Sequence, residues 1–368
     1  MKRISVAAPL LTGNEKKYVM DAVESTWISS SGKYISQFEE MFAAFCNVKY
    51  AISTNNGTTA LHLALVALGV TDGDEVLVPT VTYIATANAV RYCNATPVLV
   101  DSLPGTMTMD PEDAARKITK RTKGVIPVHL YGHPAHMSAL NKLAAEHHLW
   151  VLEDAAEAHG AECDGRRVGG IGTCAAFSFF GNKIVTTGAG GMVTTNDDTL
   201  AAKLRLFRGQ GMDPNERYWF PVVGYNYRMT NVAAAIGVAQ METIDRSISE
   251  RQQIADWYAE TLAPLKDKIM LPTTEPWAKP VCWMYTVYLK TGTKLERDAV
   301  MKHMAANDIE TRPVFHPMHV MPPYKDNKSY PVADTWACRG INLPTWQGLV
   351  KDDILRIAQS LRNALDKI

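Results

Sequence analysis

The 368-residue sequence predicts an α/β fold: a mostly parallel central sheet with helices on both faces, followed by a smaller C-terminal α+β unit. Three observations predict it. Between positions 74 and 154, short runs that are apolar throughout alternate with helical stretches, the pattern of strands buried on both faces. After about Gln240 the alternation loosens. The stretch LPTTEPWAKP (271–280), rich in proline, then makes a natural joint. On this reading residues 1–245 form a large domain that includes N-terminal helices, and residues 246–368 form a small C-terminal domain.

The elements follow in order. Two amphipathic helices, roughly 14–25 and 34–46, come first. After the turn STNNGTT a third helix begins at Gly57, because ALHLALVAL is a strong helix former. Next come a strand over 75–79 (EVLVP), a helix near 83–92, a strand over 96–101 (TPVLVD) and a helix near 110–118. A strand over 123–130 (KGVIPVHL), a helix over 136–148 and the strand 150–154 (WVLED) complete the alternation. Short strands are expected at 175–179 and 191–195, then helices from about 197 to 207 and over 241–263. No internal repeat or low-complexity tract interrupts them.

Lys and Arg number 38, as do Asp and Glu, so the formal net charge is zero. A broad nucleic-acid footprint or an anionic-membrane surface needs a basic excess, and neither partner is expected. The opening MKRISVAAPLLTGNEKK turns polar before a signal-peptide core can form, and no apolar run is long enough to span a membrane. Six scattered cysteines without a CxxC pair fit reduced thiols in a cytoplasmic protein.

Three features suggest chemistry. Gly57 and Thr58 follow Asn56 at a helix start, where free N–H groups, hydroxyls and the helix dipole suit a phosphate; the plainer reading is an ordinary N-cap by Asn56 or Thr58. Asp154 ends the strand WVLED, where doubly wound sheets gather ligands, although it could equally cap the next helix. Lys183 is a lone lysine in FSFFGNKIVTTGAGGMVTT (177–195), among aromatic, apolar and glycine residues that suit a solvated ammonium poorly. Burial there lowers an amine's pKa and frees it to attack a carbonyl. Together these are the parts that hold pyridoxal 5'-phosphate: a phosphate cradle, a carboxylate for the ring nitrogen and an imine-forming lysine.

At this point NNGTTALHLAL, VPTVTYIATANAV, VHLYGH, LEDAAEAHGA, FSFFGNKIVTTGAGGMVTT and GYNYRMTNVAAAIGVAQ resemble, in order, the successive motifs of the DegT/DnrJ/EryC1/StrS nucleotide-sugar aminotransferases. The resemblance runs from about residue 5 to RGINLPT and implies fold type I of the enzymes dependent on pyridoxal phosphate. It implies that Lys183 is the Schiff-base lysine and proton shuttle, that Asp154 partners the pyridine nitrogen, and that Glu157 lies near the ring 3-hydroxyl. Tyr83 takes the place of the aromatic stacked on the ring, Gly57, Thr58 and Ser178 with the neighbouring Asn56 that of the phosphate site, and Asn226 that of the asparagine reaching the phosphate of a neighbouring subunit. A homodimer is therefore implied.

Trp27 to Ser29 and Arg312, Phe315 and His316 match segments that face substrate. The members most alike in STWISSSGKYISQFE, FRGQGM and ETRPVFHPMH imply L-glutamate as amino donor and a GDP-linked 4-keto-6-deoxy sugar, GDP-4-keto-6-deoxy-D-mannose, as acceptor. A UDP- or dTDP-linked keto sugar, a sugar 3-dehydratase and a non-catalytic sugar-binding relative stay open as alternatives. One position departs from the pattern: Ala189 stands where the family usually has Glu, and the fold is expected to survive it. His129, His133 and His136 lack a settled ligand spacing, and no metal site is expected; for His316 and His319, packing in the Pro-rich loop and a catalytic or substrate contact are equally open readings.

Overall fold

The central sheet is built from seven strands in a computed structural model that describes residues 2–368. Helices α1 (Glu15–Glu24) and α2 (Lys33–Cys46) precede strand β1 (Tyr50–Thr54) and helix α3 (Gly57–Ala67). Then follow β2 (Glu75–Pro79), α4 (Ala85–Tyr92), β3 (Thr96–Val100), α5 (Pro111–Arg116), β4 (Thr122–Val125), α6 (Met137–Glu146) and β5 (Trp150–Asp154). The short pair β6 (Glu162–Cys163) and β7 (Arg166–Arg167) leads to β8 (Cys174–Ser178), β9 (Gly191–Thr195) and α7 (Asp198–Arg208). Their order across the sheet is β1-β9-β8-β5-β4-β2-β3. All run parallel except β9, which is antiparallel to β1 and β8. That one reversal has a simple origin. Residues 179–190 return straight from β8 to β9 with no crossover helix, and a direct return gives an antiparallel pair.

Burial explains the strand composition. Every residue of β2 and β9 is buried, as apolar strands covered on both faces must be. Helix α3 is apolar nearly all round and is buried at Ala60, Leu61, Leu63, Ala64 and Leu65, so its N-terminus is fixed against the sheet beside β8. Two expected elements need correcting. The strand expected over 123–130 stops at Val125, because Pro127 has no N–H for the ladder. The chain still follows β5, with the Asp154 N–H bonded to the Pro127 carbonyl (2.8 Å) and His129 N–H to the Asp154 carbonyl (3.0 Å). The helix expected over 241–263 begins three residues later, as α9 (Ile244–Leu262), and a separate helix, α8 (Asn231–Met241), precedes it.

Helix α8 organises the N-terminal segment. Phe38 of α2 lies against Gly237, where a Cβ would stand 2.8 Å from the ring, too close for any side chain. Asn231, at the start of α8, accepts from Tyr34 N–H (3.0 Å) and donates to the Trp27 carbonyl (2.6 Å). The 26–32 loop is thereby moored to α8.

Beyond α9, strands β10 (Ile269–Met270), β12 (Tyr285–Leu289), β13 (Arg312–Pro313) and β14 (Gly340–Leu343) form an antiparallel sheet ordered β10-β12-β14-β13. Strand β11 (Ala278–Lys279) instead pairs with β6. Helices α9, α10 (Lys294–Ala306) and α12 (Lys351–Leu365) enclose a separate apolar cluster with this sheet, which also takes in Ile4. The short α11 (Pro331–Trp336) packs on the larger core, as do Val281, Trp283 and Met284. No helix among the described residues is long and apolar enough to cross a membrane.

Candidate active site

The parallel strands deliver their following loops to one edge of the sheet. In register, Gly191 at the start of β9 pairs with both Thr54, the last residue of β1, and Ser178, the last of β8. This row brings Gly57 against Ser178. A Cβ on Gly57 would stand 2.7 Å from the Ser178 Cβ and 3.1 Å from its Oγ, so the close approach demands glycine. Asn56 caps α3 by accepting from Thr59 N–H (2.9 Å). The plain capping role is therefore real, and it leaves the N–H groups of Gly57 and Thr58, at the positive helix end, without an intrahelical partner. With the Ser178 hydroxyl they form a narrow cradle of donors that suits a phosphate.

Asp154 ends β5, next to β8 in the sheet, and is 5% exposed. Its Oδ2 accepts from Thr86 Oγ1 (2.7 Å) and its Oδ1 from Ala156 N–H (3.3 Å). Burial pushes its carboxyl pKa up, and the Thr86 hydroxyl opposes the shift. Glu157, 4% exposed, accepts from Tyr131 N–H at Oε2 (2.8 Å) and places Oε1 3.5 Å from Lys183 Nζ. Burial raises its pKa too, against the pull of Lys183.

Lys183 lies in the loop from β8 to β9 with its side chain 11% exposed. Burial holds its amine below the usual lysine range, and Glu157 and Asp154 return part of the shift. The amine also sits 3.8 Å from the centroid of the Trp283 ring. A buried lysine whose charge is poorly solvated, with two carboxylates near it, can hold a reactive carbonyl and exchange protons there.

An aromatic wall closes one side. Trp283 stacks on Tyr131 (6.1 Å), Tyr131 on Phe315 (5.3 Å), and Phe315 lies 5.9 Å from Tyr83. Phe315 N–H also donates to the Tyr131 hydroxyl (3.1 Å). Tyr83 is 59% exposed. Among the substrate-facing expectations, then, Phe315 is joined to the Lys183 region. Trp27 and Ser29 are exposed and tethered through their carbonyls to Asn231, while Arg312 pairs with Glu310 (3.7 Å) and His316 faces solvent. Among the described residues, no hydrogen bond, ion pair or ring contact links these four to Lys183. Asn226 is exposed beside Tyr227, whose carbonyl accepts the Asn55 N–H (2.9 Å).

Four other histidines are tied into the fold by hydrogen bonds or stacking. His129 is bonded to Glu153 (3.1 Å) and to Ala135 N–H (3.0 Å), and His319 to Thr80 (2.7 Å) and Asp334 (2.8 Å). His133 is bonded to the Pro134 carbonyl (2.8 Å), and His136 stacks on Trp277 (4.0 Å). Ala189 is exposed, and its loop is shaped by Gly188 at φ +79° and by Thr187 Oγ1 bonding the Ala189 carbonyl (2.9 Å). No side chain at 189 is needed for that turn.

Three site residues escape a reading of the sequence. Thr86 and Tyr131 lie inside motifs already singled out, and Tyr131 carries a signal in the structure: it is buried at φ +54°, a rare conformation for an aromatic residue. Gly132 after it meets the Val281 carbonyl so closely that no Cβ fits. Trp283 has no local signal, because only the tertiary fold carries it to Lys183.

Comparison with known proteins agrees with this geometry. The family model described as "DegT/DnrJ/EryC1/StrS aminotransferase family" matches residues 9–362. The chain is 54% identical to GDP-perosamine synthase of Caulobacter vibrioides, covering 99% of both chains, and 47% identical to GDP-perosamine synthase of Escherichia coli O157:H7, covering 98% of both. It superposes on the solved structure of S. venezuelae DesV with a TM-score of 0.90 at 36% identity, over 96% of this chain and 95% of that one. The chain belongs to the DegT/DnrJ/EryC1/StrS aminotransferase family and is an α/β transaminase that depends on pyridoxal phosphate.

Proposed function

We propose that the chain transfers the amino group of L-glutamate to C4 of GDP-4-keto-6-deoxy-D-mannose, giving GDP-perosamine and 2-oxoglutarate. The observation that carries the reading is the buried Lys183 amine beside Glu157, within a chain similar along nearly its whole length to GDP-perosamine synthases. Glycine at 57 lets the start of α3 approach Ser178 closely, and the free N–H groups with the Ser178 hydroxyl make a donor set that suits the cofactor's phosphate.

When bound, pyridoxal phosphate supplies an aldehyde that accepts the amino group and a ring that draws off electrons. The residues of the chain do the rest. Gly57, Thr58 and Ser178 bind the phosphate. Asp154, a buried carboxylate with only neutral donors bonded to it, is completed by a cation, and a protonated ring nitrogen is one. Glu157 answers the ring hydroxyl, and Tyr83 lends a face to the ring. Lys183 would hold the aldehyde carbon and, once the incoming amino group has displaced it, its free amine would take a proton from the α-carbon of glutamate and later deliver one to C4 of the sugar. Asn226 of a second copy completes the phosphate site, which makes a homodimer the working unit. Trp27, Ser29, Arg312, Phe315 and His316 border the sugar nucleotide.

The test offers GDP-, UDP- and dTDP-linked 4-keto-6-deoxyhexoses separately with L-glutamate and identifies products by mass spectrometry. The reading expects an amino sugar from the GDP substrate first. Nitrogen gain with another nucleotide alone changes the substrate, and loss of oxygen without nitrogen gain refutes the aminotransfer.

A further inference from the structure

Trp283 enters the site from the far end of the chain and touches it on three sides. Its ring face lies under Lys183 Nζ at 3.8 Å. Its indole N–H donates to the carbonyl of Asn182, the residue before that lysine (2.8 Å). It also stacks on Tyr131 (6.1 Å between ring centroids), whose N–H holds Glu157. The indole is only 4% exposed, and its own carbonyl accepts from the buried Arg251 (3.2 Å), which also holds the carbonyls of Cys282 (3.2 Å) and Thr345 (3.1 Å). One side chain therefore contacts both the Lys183 amine and the residue that holds Glu157, and a buried guanidinium holds the backbone that carries it.

We propose that Trp283 is a positioning residue for Lys183: its ring face docks the ε-ammonium whenever the lysine is free, and its N–H on Asn182 fixes the loop that carries it. The proposal rests on Lys183 being the reactive amine. A lysine that must release its carbon and then deliver protons needs a place to return to. A long, flexible chain has none unless its head group is held. Trp has the strongest quadrupole of the aromatic side chains, and the attraction is largest where water is excluded, as here.

Three titratable groups face or act on the amine. Glu157 and Asp154 favour its charged form, and His159, whose pKa burial pushes down to about 3, stays neutral. The ring face adds support for the charged form. Removing it while keeping the site dry lowers the amine's proton affinity. Loosening the site so that water enters raises it. The two effects have opposite signs, which separates positioning from general structural support.

The experiment is competitive acylation of the cofactor-free 368-residue chain with a dilute anhydride across a pH series, reading the Lys183 peptide by mass spectrometry. For Trp283→Leu, the pH midpoint of Lys183 labelling is expected to fall by about half to one unit, a roughly three- to tenfold loss of proton affinity. Trp283→Phe, which keeps a ring face, should fall less. A ring-fluorinated tryptophan at 283 keeps shape and N–H while draining the ring face, so it tests the idea even if the Leu variant misfolds, and its midpoint should also fall. Circular dichroism and melting verify the fold. A midpoint that stays or rises with the leucine or the fluorinated ring overturns the proposal. Neither glutamate nor sugar is present, so a failed aminotransferase assay leaves this result untouched, and the converse holds.

Discussion

Gly57→Ala probes the phosphate cradle with the smallest possible change. The new methyl carbon would stand 2.7 Å from Ser178 Cβ, 3.1 Å from its Oγ and 3.2 Å from its Cα, where ordinary contacts lie at 3.4–4 Å. The end of β8 and the start of α3 must therefore part by about 0.7 Å, in a region packed too densely to absorb it freely. Overpacking of this kind costs about 1–3 kcal/mol. If that strain falls on the state with phosphate bound, cofactor affinity drops about five- to a hundredfold, at about 1.4 kcal/mol per decade. The assay is equilibrium titration of the stripped enzyme with pyridoxal phosphate, followed by absorbance.

A double-mutant cycle identifies the cause. Ser178→Gly alone weakens binding by removing a hydroxyl, yet in the Gly57→Ala background it also removes the carbon that the methyl strikes. The pair should therefore lose less than the sum of the single changes, by about 1 kcal/mol or more. Wild-type affinity in Gly57→Ala would refute the placement of the phosphate. Strict additivity would refute the clash as its cause.

Further predictions test neighbouring parts. Glu153 accepts from the N–H groups of Gly169 (3.0 Å), Ile171 (2.8 Å) and Gly172 (2.8 Å) and from His129 (3.1 Å). Burial alone would raise its pKa, but these donors outweigh burial and lower it. Its contribution is therefore complete above the ordinary glutamate range, about 4.3, and lost as pH falls through the lower folded value. Glu153→Gln should cost about 3 kcal/mol at pH 7 and flatten the acid limb of stability, measured by urea unfolding at pH 7 and in a series below pH 5. Asn231→Ala should cost about 1–2 kcal/mol by freeing Tyr34 N–H and the Trp27 carbonyl, and it should raise KM for the sugar nucleotide more than it lowers kcat. Equal effects on both parameters would remove the 26–32 loop from substrate binding. Lys183→Ala should abolish amino transfer while leaving the melting temperature of the stripped chain within a few degrees of wild type. Retained turnover would exclude the lysine as the reactive amine.

Much of this site is legible in the sequence because its central parts are local patterns. A strand ending in Asp154, a helix opening at Gly57 and a lysine in an uncharged glycine-rich loop each declare themselves within ten residues or so. Strand direction does not: an apolar run such as GMVTT reads the same in either sense, and only the crossover-free 179–190 loop makes β9 antiparallel. Thr86, Tyr131 and Trp283 act through partners 68, 26 and 100 positions away, namely Asp154, Glu157 and Lys183, and no window on the sequence contains both members. The capping asparagine at 56 shows the opposite case, in which the plain structural role and the functional one are the same arrangement. By accepting from Thr59, it sets the helix start whose next two N–H groups stay free.

The most direct measurement is borohydride reduction of the enzyme loaded with pyridoxal phosphate, followed by peptide mapping. The account predicts one stable cofactor-derived mass increment, carried by the peptide containing Lys183. An increment on another lysine, or none on a chain that has demonstrably bound the cofactor, would contradict it.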